Sequence, residues 1–466
     1  MGMSLITYWQ RWLEWSKKST NCRIFKTAVV VGSIHFLASL IAIAKELFTA
    51  YRFGRGDVVD AFVMAFLLPT FVITVIGDSF SSAFIPTYIK IREKRGFAAA
   101  KELFFSVMVW SLLLLLAITI VFAFLAQYIL PFLASKFTPQ KLDLTRRLFF
   151  ILLPVLVFSG ISSMWTAILN AEERFAAGAF TPAINYLTAI IFLFLFGKKW
   201  GIFSLAIGTT VGFILQCGLL VLDLKRNKIG LLLQWRRINT DMRDVIKQYM
   251  PMATGALAMN ITIVVNQIMA AIMFGSGSVA ALNYANKIIL YIVLLSSTAI
   301  ATSVLPYFSR MIAHQDWQGI KHTVRVYTRL ILLATVPLTV IIVLFSKNIV
   351  TLVFQRGAFT QHDTQIVSQI QATYALQIPF YVLGILGIRL MSASLMNTWI
   401  LLIAISGLSL NVILNLVFSK YFGIVGIALS TSIVYLFSCS AVFLVLWASK
   451  NRFSDYNRMV PTYENL

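Results

Sequence analysis

The chain has 466 residues, of which 59% are hydrophobic and only 12% are charged, and its mean hydropathy is +0.84. This composition excludes a soluble globular protein and indicates an all-α integral membrane protein. Apolar stretches of about twenty residues recur along the chain and predict about twelve transmembrane helices. We place them at 27–48, 58–87, 104–130, 148–169, 180–197, 201–224, 248–273, 279–307, 330–346, 366–388, 399–418 and 424–448.

The net charge of +22 is distributed unevenly between the two sides of the predicted membrane. Of the 39 lysines and arginines, 26 lie on the side of the N-terminus, 11 lie on the other side and two lie within spans. The positive-inside rule therefore places both termini in the cytoplasm. The same distribution argues against nucleic acid as a partner and favours anionic lipid headgroups.

Segments outside the spans complete the predicted domain organisation. Residues 1–26 carry Trp9, Trp12 and Trp15 before Lys17 and Lys18, which predicts an amphipathic cytoplasmic N-terminus. Residues 225–247 form a basic cytoplasmic linker, and residues 449–466 form a cytoplasmic tail. Between them lie an N-terminal six-helix lobe at 27–224 and a C-terminal six-helix lobe at 248–448.

The sequence offers no metal site, cofactor site or catalytic site, so we predict that the protein is not an enzyme. The three cysteines are scattered, and the four histidines show no metal-ligand spacing. No glycine-rich phosphate loop follows a strand, which excludes a built-in ATP-driven pump.

The two lobes repeat one another at an offset of about 221 residues. "GRGDVV" at 54–59 matches "GSGSVA" at 275–280, "KFTPQ" at 136–140 matches "AFTQH" at 358–362, and "WGIFSLAIGTT" at 200–210 matches "FGIVGIALSTS" at 422–432. Each repeat holds six spans, an even number, so the repeats are parallel. Two parallel bundles around a central cavity predict a transporter that works by alternating access rather than a channel.

Charged residues gather where the first span ends and the second begins, in and before "FGRGDVVDAFVMAFLLP" at 53–69. Ionisable groups at membrane depth normally face a partner or a water-filled cavity. One interpretation is structural, with Lys45, Arg52 and Arg55 pairing with acidic neighbours to hold helix ends together. The other is functional, with the basic residues binding substrate and with three acidic residues serving as gate or ion-pairing groups, namely Glu46, Asp57 and Asp60.

Lys287 is the charged residue of the eighth span, the counterpart of the second, and spans 7 to 12 contain no acidic residue. A cation that lines a cavity favours an anionic substrate, and phosphate or pyrophosphate fits because several Lys and Arg donors can share its oxygens. We therefore predict that substrate is bound by Lys45, Arg52, Arg55 and Lys287. Nearby amides add donors suited to sugar hydroxyls or to helix–helix hydrogen bonds, namely Asn260, Asn266, Gln267, Asn283 and Asn286.

Several of these motifs resemble the lipid II flippases of the MurJ/MviN type, in the multidrug/oligosaccharidyl-lipid/polysaccharide exporter superfamily. They are "DAFVMAFLLP", "FSSAFIPTY", "GSGSVAALNYANKI" and above all "LVFQRGAFTQHDT" at 352–364. The resemblance implies that the protein moves an undecaprenyl-pyrophosphate-linked saccharide, most simply the peptidoglycan precursor lipid II, from the inner to the outer leaflet of the bacterial cytoplasmic membrane. By the same resemblance, Lys45 and Lys287 stand where the family has arginine, and Asp60 matches the aspartate of "DAF".

Other functions stay open at this point. A relative could flip an O-antigen or exopolysaccharide unit, and a cation-coupled drug antiporter could use Asp60 and Asp78 to bind cations. A non-transporting scaffold is a third alternative. The energy source is open between an ion gradient, with a coupling ion as a partner, and the membrane potential. Membrane lipids and glycan polymerases are further candidate partners.

Overall fold

A computed structural model describes residues 20–172, 174–226, 240–313, 315–394 and 396–449. The regular elements in these ranges are helices, which we number α1 (Thr20–Phe53), α2 (Asp57–Leu133), α3 (Pro139–Leu152), α4 (Val155–Ala171), α5 (Phe175–Trp200), α6 (Phe203–Arg226), α7 (Thr240–Met273), α8 (Ser278–Ala313), α9 (Trp317–Phe354), α10 (Gln361–Ala375), α11 (Gln377–Ala393), α12 (Asn397–Phe422) and α13 (Val425–Ala448). Most of the predicted amphipathic N-terminus, the middle of the basic linker and nearly all of the tail lie outside the described residues.

The predicted all-α membrane fold with twelve spans is confirmed. Within the described residues, ten helical segments are long and apolar enough to cross a membrane. The 77-residue α2 contains two of the predicted spans, because Gly96 interrupts it with a φ of 87°. The chain folds back there, since the ring of Phe84 lies 5.8 Å from that of Phe104. The apolar segment Ser278–Val293 of α8 supplies the remaining span.

Outward-facing positions along the spans carry large apolar side chains, as a lipid environment requires. Phe124, Phe194 and Leu344 are each more than 70% exposed. In water such a surface would drive aggregation, whereas in a bilayer it is solvated by acyl chains.

The fourth and tenth spans are each built from two helices rather than one. α3 and α4 are separated by Leu153 and Pro154, and α10 and α11 are separated by Leu376. Pro154 has no backbone N–H to donate to the preceding turn, which explains the first break. The two breaks fall at equivalent positions of the sequence repeat.

The described chain forms two compact units. Unit 1 comprises the described residues within 1–49, 68–128 and 145–256, and unit 2 comprises the described residues within 50–67, 129–144 and 257–466. The charged segment between α1 and α2 therefore belongs to unit 2, together with most of the C-terminal half. The lobe boundaries at 224 and 248 stay a prediction.

One hydrogen bond occurs in both repeats. In unit 1 the Thr210 hydroxyl donates to the carbonyl of Ile151 at 2.8 Å, and in unit 2 the Ser432 hydroxyl donates to the carbonyl of Thr373 at 2.8 Å. Both donors and both acceptors are separated by the same offset of 222 residues. Gly201 and Gly423, at the same offset, adopt φ values of 54° and 59°. The sequence repeat is thus also a structural repeat.

A partly buried polar contact adjoins the core of unit 1. Phe84, Tyr88 and Phe104 are almost completely buried in an aromatic and aliphatic cluster. The Tyr88 hydroxyl donates to Oε1 of Glu172 at 2.8 Å, and Arg92 lies 3.1 Å from Oε2 of the same carboxylate. This contact ties the first part of α2 to the residue that follows α4.

Replacing Tyr88 by phenylalanine removes the hydroxyl donor while keeping the ring in the core. We expect Tyr88→Phe to lower the free energy of unfolding by about 1–3 kcal/mol, because Glu172 Oε1 loses its partner. The measurement is the thermal midpoint of the purified protein in detergent, followed by tryptophan fluorescence. The matched control is Tyr421→Phe, since Tyr421 is 78% exposed. Equal midpoints for both variants would contradict a stabilising role for the Tyr88 hydroxyl.

Candidate functional site

Asp60 lies in the first turn of α2 and is completely buried at 0% exposure. Its carboxylate accepts hydrogen bonds from the backbone N–H groups of Gly277 and Ala280, both at 2.7 Å. These N–H groups belong to the start of α8, where the first N–H groups have no partner within the helix. Asp60 therefore serves as the N-terminal cap of a helix more than two hundred residues away, and its negative charge is favourable at that positive helix end.

Lys141 supplies the cation that neutralises Asp60. Its ammonium group lies 2.6 Å from Asp60 Oδ2 and 2.5 Å from Asp57 Oδ1, and the residue is only 7% exposed. The same ammonium lies 3.9 Å from the centroid of the Phe137 ring, a cation–π distance. Lys141 comes from the first turn of α3, so it joins the starts of α2, α3 and α8.

Arg55 makes a separate ion pair in unit 2. Its Nε lies 2.9 Å from Oδ1 of Asp363 in the first turn of α10. The other oxygen of Asp363 accepts from the backbone N–H and the hydroxyl of Thr360, which completes a capping box. Asp363 thus both caps α10 and holds the segment before α2.

Backbone contacts join the chain segments that carry these charged residues. The Ala358 N–H donates to the carbonyl of Tyr51 at 2.8 Å. Gly54, Gly277 and Gly357 all adopt positive φ, and a Cβ atom at any of them would clash with a neighbouring backbone oxygen. Glycine is required at these three positions for both reasons.

Lys141 and Asp363 are equivalent residues of the two repeats. They directly follow the matched motifs "KFTPQ" and "AFTQH". One repeat uses a cation and the other a carboxylate at this position, and both hold residues of the same segment, 55–60. We call Arg55, Asp57, Asp60, Lys141 and Asp363 the charged cluster.

The remaining predicted site residues lie elsewhere. Lys45 and Glu46 are in unit 1, where they form an ion pair at 2.8 Å as the structural interpretation predicted. Arg52 is half-buried near the end of α1 in unit 2 and makes no ion pair within the described residues. Lys287 is half-buried in α8, seven residues beyond Ala280, or about 10 Å along the helix.

The expectation that Arg55 pairs with acidic residues of its own segment is wrong. Asp57 and Asp60 point to Lys141, and Arg55 points to Asp363. Sequence reasoning missed both partners because Lys141 and Asp363 lie 81 and 308 residues from the groups that they contact. The signal available was their position directly after the matched repeat motifs.

The amides that suited either sugar or helix contacts include one clear helix–helix network. Asn266 of α7 donates to the hydroxyl of Thr431 at 2.9 Å and accepts from Asn415 at 2.8 Å. Asn415 also donates to Asn411 at 3.2 Å. These buried groups join α7, α12 and α13 within unit 2, as polar side chains do between membrane helices.

We expect Lys141→Gln to lower the free energy of unfolding by about 3–5 kcal/mol, because Asp60 remains as a buried charge without its cation. Adding Asp60→Asn should recover part of the loss, since it removes that charge. Thermal midpoints in detergent measure both effects. Lys136→Gln is the matched control, because Lys136 is exposed five residues away. A midpoint for Lys141→Gln equal to that of the control would rule out a stabilising role for the lysine.

Comparison with known proteins identifies the family. Residues 49–462 match the family described as "Lipid II flippase MurJ". A probable lipid II flippase MurJ of Rickettsia prowazekii (strain Madrid E) is 26% identical over 419 residues, which cover 88% of this chain and 81% of that protein. A probable lipid II flippase MurJ of Synechocystis sp. is 26% identical over 438 residues, covering 91% and 81%.

Solved structures show the same fold. A lipid II flippase MurJ in an inward closed conformation superposes with a TM-score of 0.78 at 24% identity, over 90% of this chain and 87% of that one. An inward-facing multidrug resistance MATE family transporter of the MOP superfamily gives a TM-score of 0.75 at 14% identity, over 93% and 100%. With the sequence match over residues 49–462, these findings establish that the chain belongs to the lipid II flippase MurJ family.

Proposed function

We propose that this protein carries lipid II from the inner to the outer leaflet of the bacterial inner membrane by alternating access. The observation that carries the proposal is the family match over residues 49–462. The protein is a multi-pass membrane transporter and not an enzyme. Family membership favours lipid II over an O-antigen unit, an exopolysaccharide unit or a drug cation as the substrate.

The physical task explains why a protein is needed. A pyrophosphate and its sugars cannot cross about 30 Å of hydrocarbon unaided, because burying unpaired charge is prohibitively costly. The polyprenyl tail can remain in lipid throughout. A transporter therefore has to shelter the headgroup in a polar cavity with a lateral opening, and the cavity predicted between the two repeats is our candidate.

The orientation that we propose follows from the basic loops. With both termini in the cytoplasm, the charged cluster lies at the outer surface, and the loops after Lys90 and after Ala313 lie at the inner surface. Lipid II is then bound from the inner side while the charged cluster is intact.

Four basic residues are proposed to bind the pyrophosphate: Lys45, Arg52, Arg55 and Lys287. Lys287 is the leading candidate, because it is half-buried on the helix that Asp60 caps. Lys45 can exchange Glu46 for a phosphate oxygen, and Arg52 has its charge available at the end of α1. Arg55 is engaged with Asp363 and becomes available when that pair opens.

The charged cluster is proposed to act as the outer gate, together with the predicted gate residue Glu46. While Asp60 caps α8 and Lys141 bridges Asp57 and Asp60, the starts of α2, α3 and α8 are held together. Breaking these contacts frees the start of α8, which gives the two-state element that alternating access requires. An ion gradient or the membrane potential can bias such a cycle, since one elementary charge moving through 100 mV contributes about 2.3 kcal/mol. A coupling ion and glycan polymerases remain proposed partners.

The experiment that tests the function is a flipping assay with purified protein in vesicles and fluorescent lipid II. We expect Lys287→Ala to abolish flipping with little loss of folded protein, and Lys287→Arg to retain it, because the substrate needs a cation at this position. Lys420→Ala is the matched control, since it removes an exposed lysine from the same unit.

Three results would decide against parts of this proposal. Failure of the unmodified protein to flip lipid II, with flipping of another polyprenyl-pyrophosphate glycan, would reassign the substrate. Normal flipping by a well-folded Lys287→Ala variant would remove Lys287 from the binding site. Equal loss in Lys420→Ala would show that the effect is a general consequence of reduced charge.

A further inference from the structure

A cavity of about 250 Å³ lies within unit 1, and its lining includes none of the residues proposed above as gate or substrate contacts. It is formed by the last turns of α2 before Gly96 and by the first part of α7. Its charged lining groups are Lys90, Lys94 and Arg95, and its uncharged ones include Thr87, Ile91 and Gln248.

The lining residues of α2 share one face of the helix. Thr87, Ile91 and Arg95 are spaced by four residues, and so are Lys90 and Lys94 on the adjoining row. Thr87 and Ile91 are buried, whereas the two lysines are exposed at the mouth of the cavity. The helix therefore presents an apolar base and a basic rim to the same space.

The ammonium groups of Lys90 and Lys94 have no carboxylate beside them in the cavity wall. Among the described residues that line the cavity, none is acidic. The nearby carboxylate of Glu172 is already engaged, with Oε1 accepting from Tyr88 and Oε2 paired with Arg92. Within the part of the chain that the structure describes, Lys90 and Lys94 form no ion pair or hydrogen bond.

The position of the cavity along the second span indicates which layer of the membrane it faces. The apolar stretch of the second span ends at Ile89, and five of the next six residues, 90–95, are charged. A switch from apolar to charged residues marks the boundary between hydrocarbon and headgroups. Basic residues at the end of a helix are also favoured by the helix dipole, but that effect does not require them to line a cavity.

We propose that this cavity binds a lipid-borne phosphate anion at the membrane surface, with Lys90 and Lys94 as its principal ligands. Ammonium groups bind phosphate oxygens as point charges, and the amide of Gln248 can add an uncharged donor. The anion comes either from an anionic glycerophospholipid or from the pyrophosphate of the transported lipid. Only the second source rests on the proposed function, and binding is measured without transport, so failure of one proposal is distinguishable from failure of the other.

The test measures binding of three lipids to the full-length protein in detergent by native mass spectrometry. The probes are dioleoylphosphatidylglycerol, undecaprenyl pyrophosphate and, as the neutral reference, dioleoylphosphatidylcholine. The variant is Lys90→Gln with Lys94→Gln. The matched control is Lys198→Gln with Lys199→Gln, which removes two exposed lysines from another helix end of unit 1. Lys90→Arg with Lys94→Arg preserves the charge.

We expect the glutamine pair at 90 and 94 to weaken binding of one anionic probe by about 10- to 30-fold, since each basic residue near an anionic lipid contributes about fivefold. The control pair and the arginine pair should bind like the unmodified protein. Selective loss of phosphatidylglycerol identifies a membrane lipid as the source, and selective loss of undecaprenyl pyrophosphate identifies the substrate. Equal binding by both glutamine pairs, or equal loss by both, would overturn the proposal. If the glutamine pair at 90 and 94 does not fold, Lys94→Gln alone is read in the same way.

Discussion

Asp60 places a carboxylate where no water reaches it, and the surrounding part of unit 2 supplies the donors that this charge requires. A buried carboxylate without partners would be strongly unfavourable, whereas two backbone N–H groups and one ammonium compensate for its lost hydration. Those donors fix the start of α8 against α2. Position 277 must be glycine, because the backbone of Arg55 lies too close to leave room for a side chain there. The position of Lys287 along α8 follows from where that helix is capped.

The internal repeat explains why a second ion pair holds the same segment. Lys141 and Asp363 occupy equivalent places at the starts of α3 and α10, and they carry opposite charges. The segment 55–60 pairs with Lys141 through the carboxylates of Asp57 and Asp60, and with Asp363 through the guanidinium of Arg55. Two equivalent helix starts can therefore hold one segment without competing for the same group. Asp60 belongs both to one ion pair and to the cap of α8, and Asp363 belongs both to the other ion pair and to the capping box of α10. Within each set, opening one contact weakens the other, which favours a transition between two discrete states.

The spans, the repeat and the importance of Asp60 could be predicted from the sequence, because hydropathy, periodic self-similarity and the cost of buried charge are all readable locally. The Lys45–Glu46 pair was equally accessible, since its members are neighbours. The partners of Arg55, Asp57 and Asp60 were not, because nothing local indicates that the first turns of α3 and α10 meet this segment. Pro154 indicates that the fourth span can bend, but a full break was predicted in neither the fourth nor the tenth span, since the apolar stretch continues through Leu153 and Leu376 without a change in hydropathy.

The central claim is that the starts of α2 and α8 must separate during transport. The Ser276 side chain lies within hydrogen-bonding reach of the Asp57 carboxylate, so this pair is our choice for a cysteine crosslink between the two helix starts. The most direct measurement is lipid II flipping by Asp57→Cys/Ser276→Cys, with the native cysteines replaced by serine, before and after oxidation and again after reduction. The account predicts that the disulfide stops flipping, that reduction restores it, and that neither single-cysteine variant responds to oxidant. Undiminished flipping by fully crosslinked protein would contradict it.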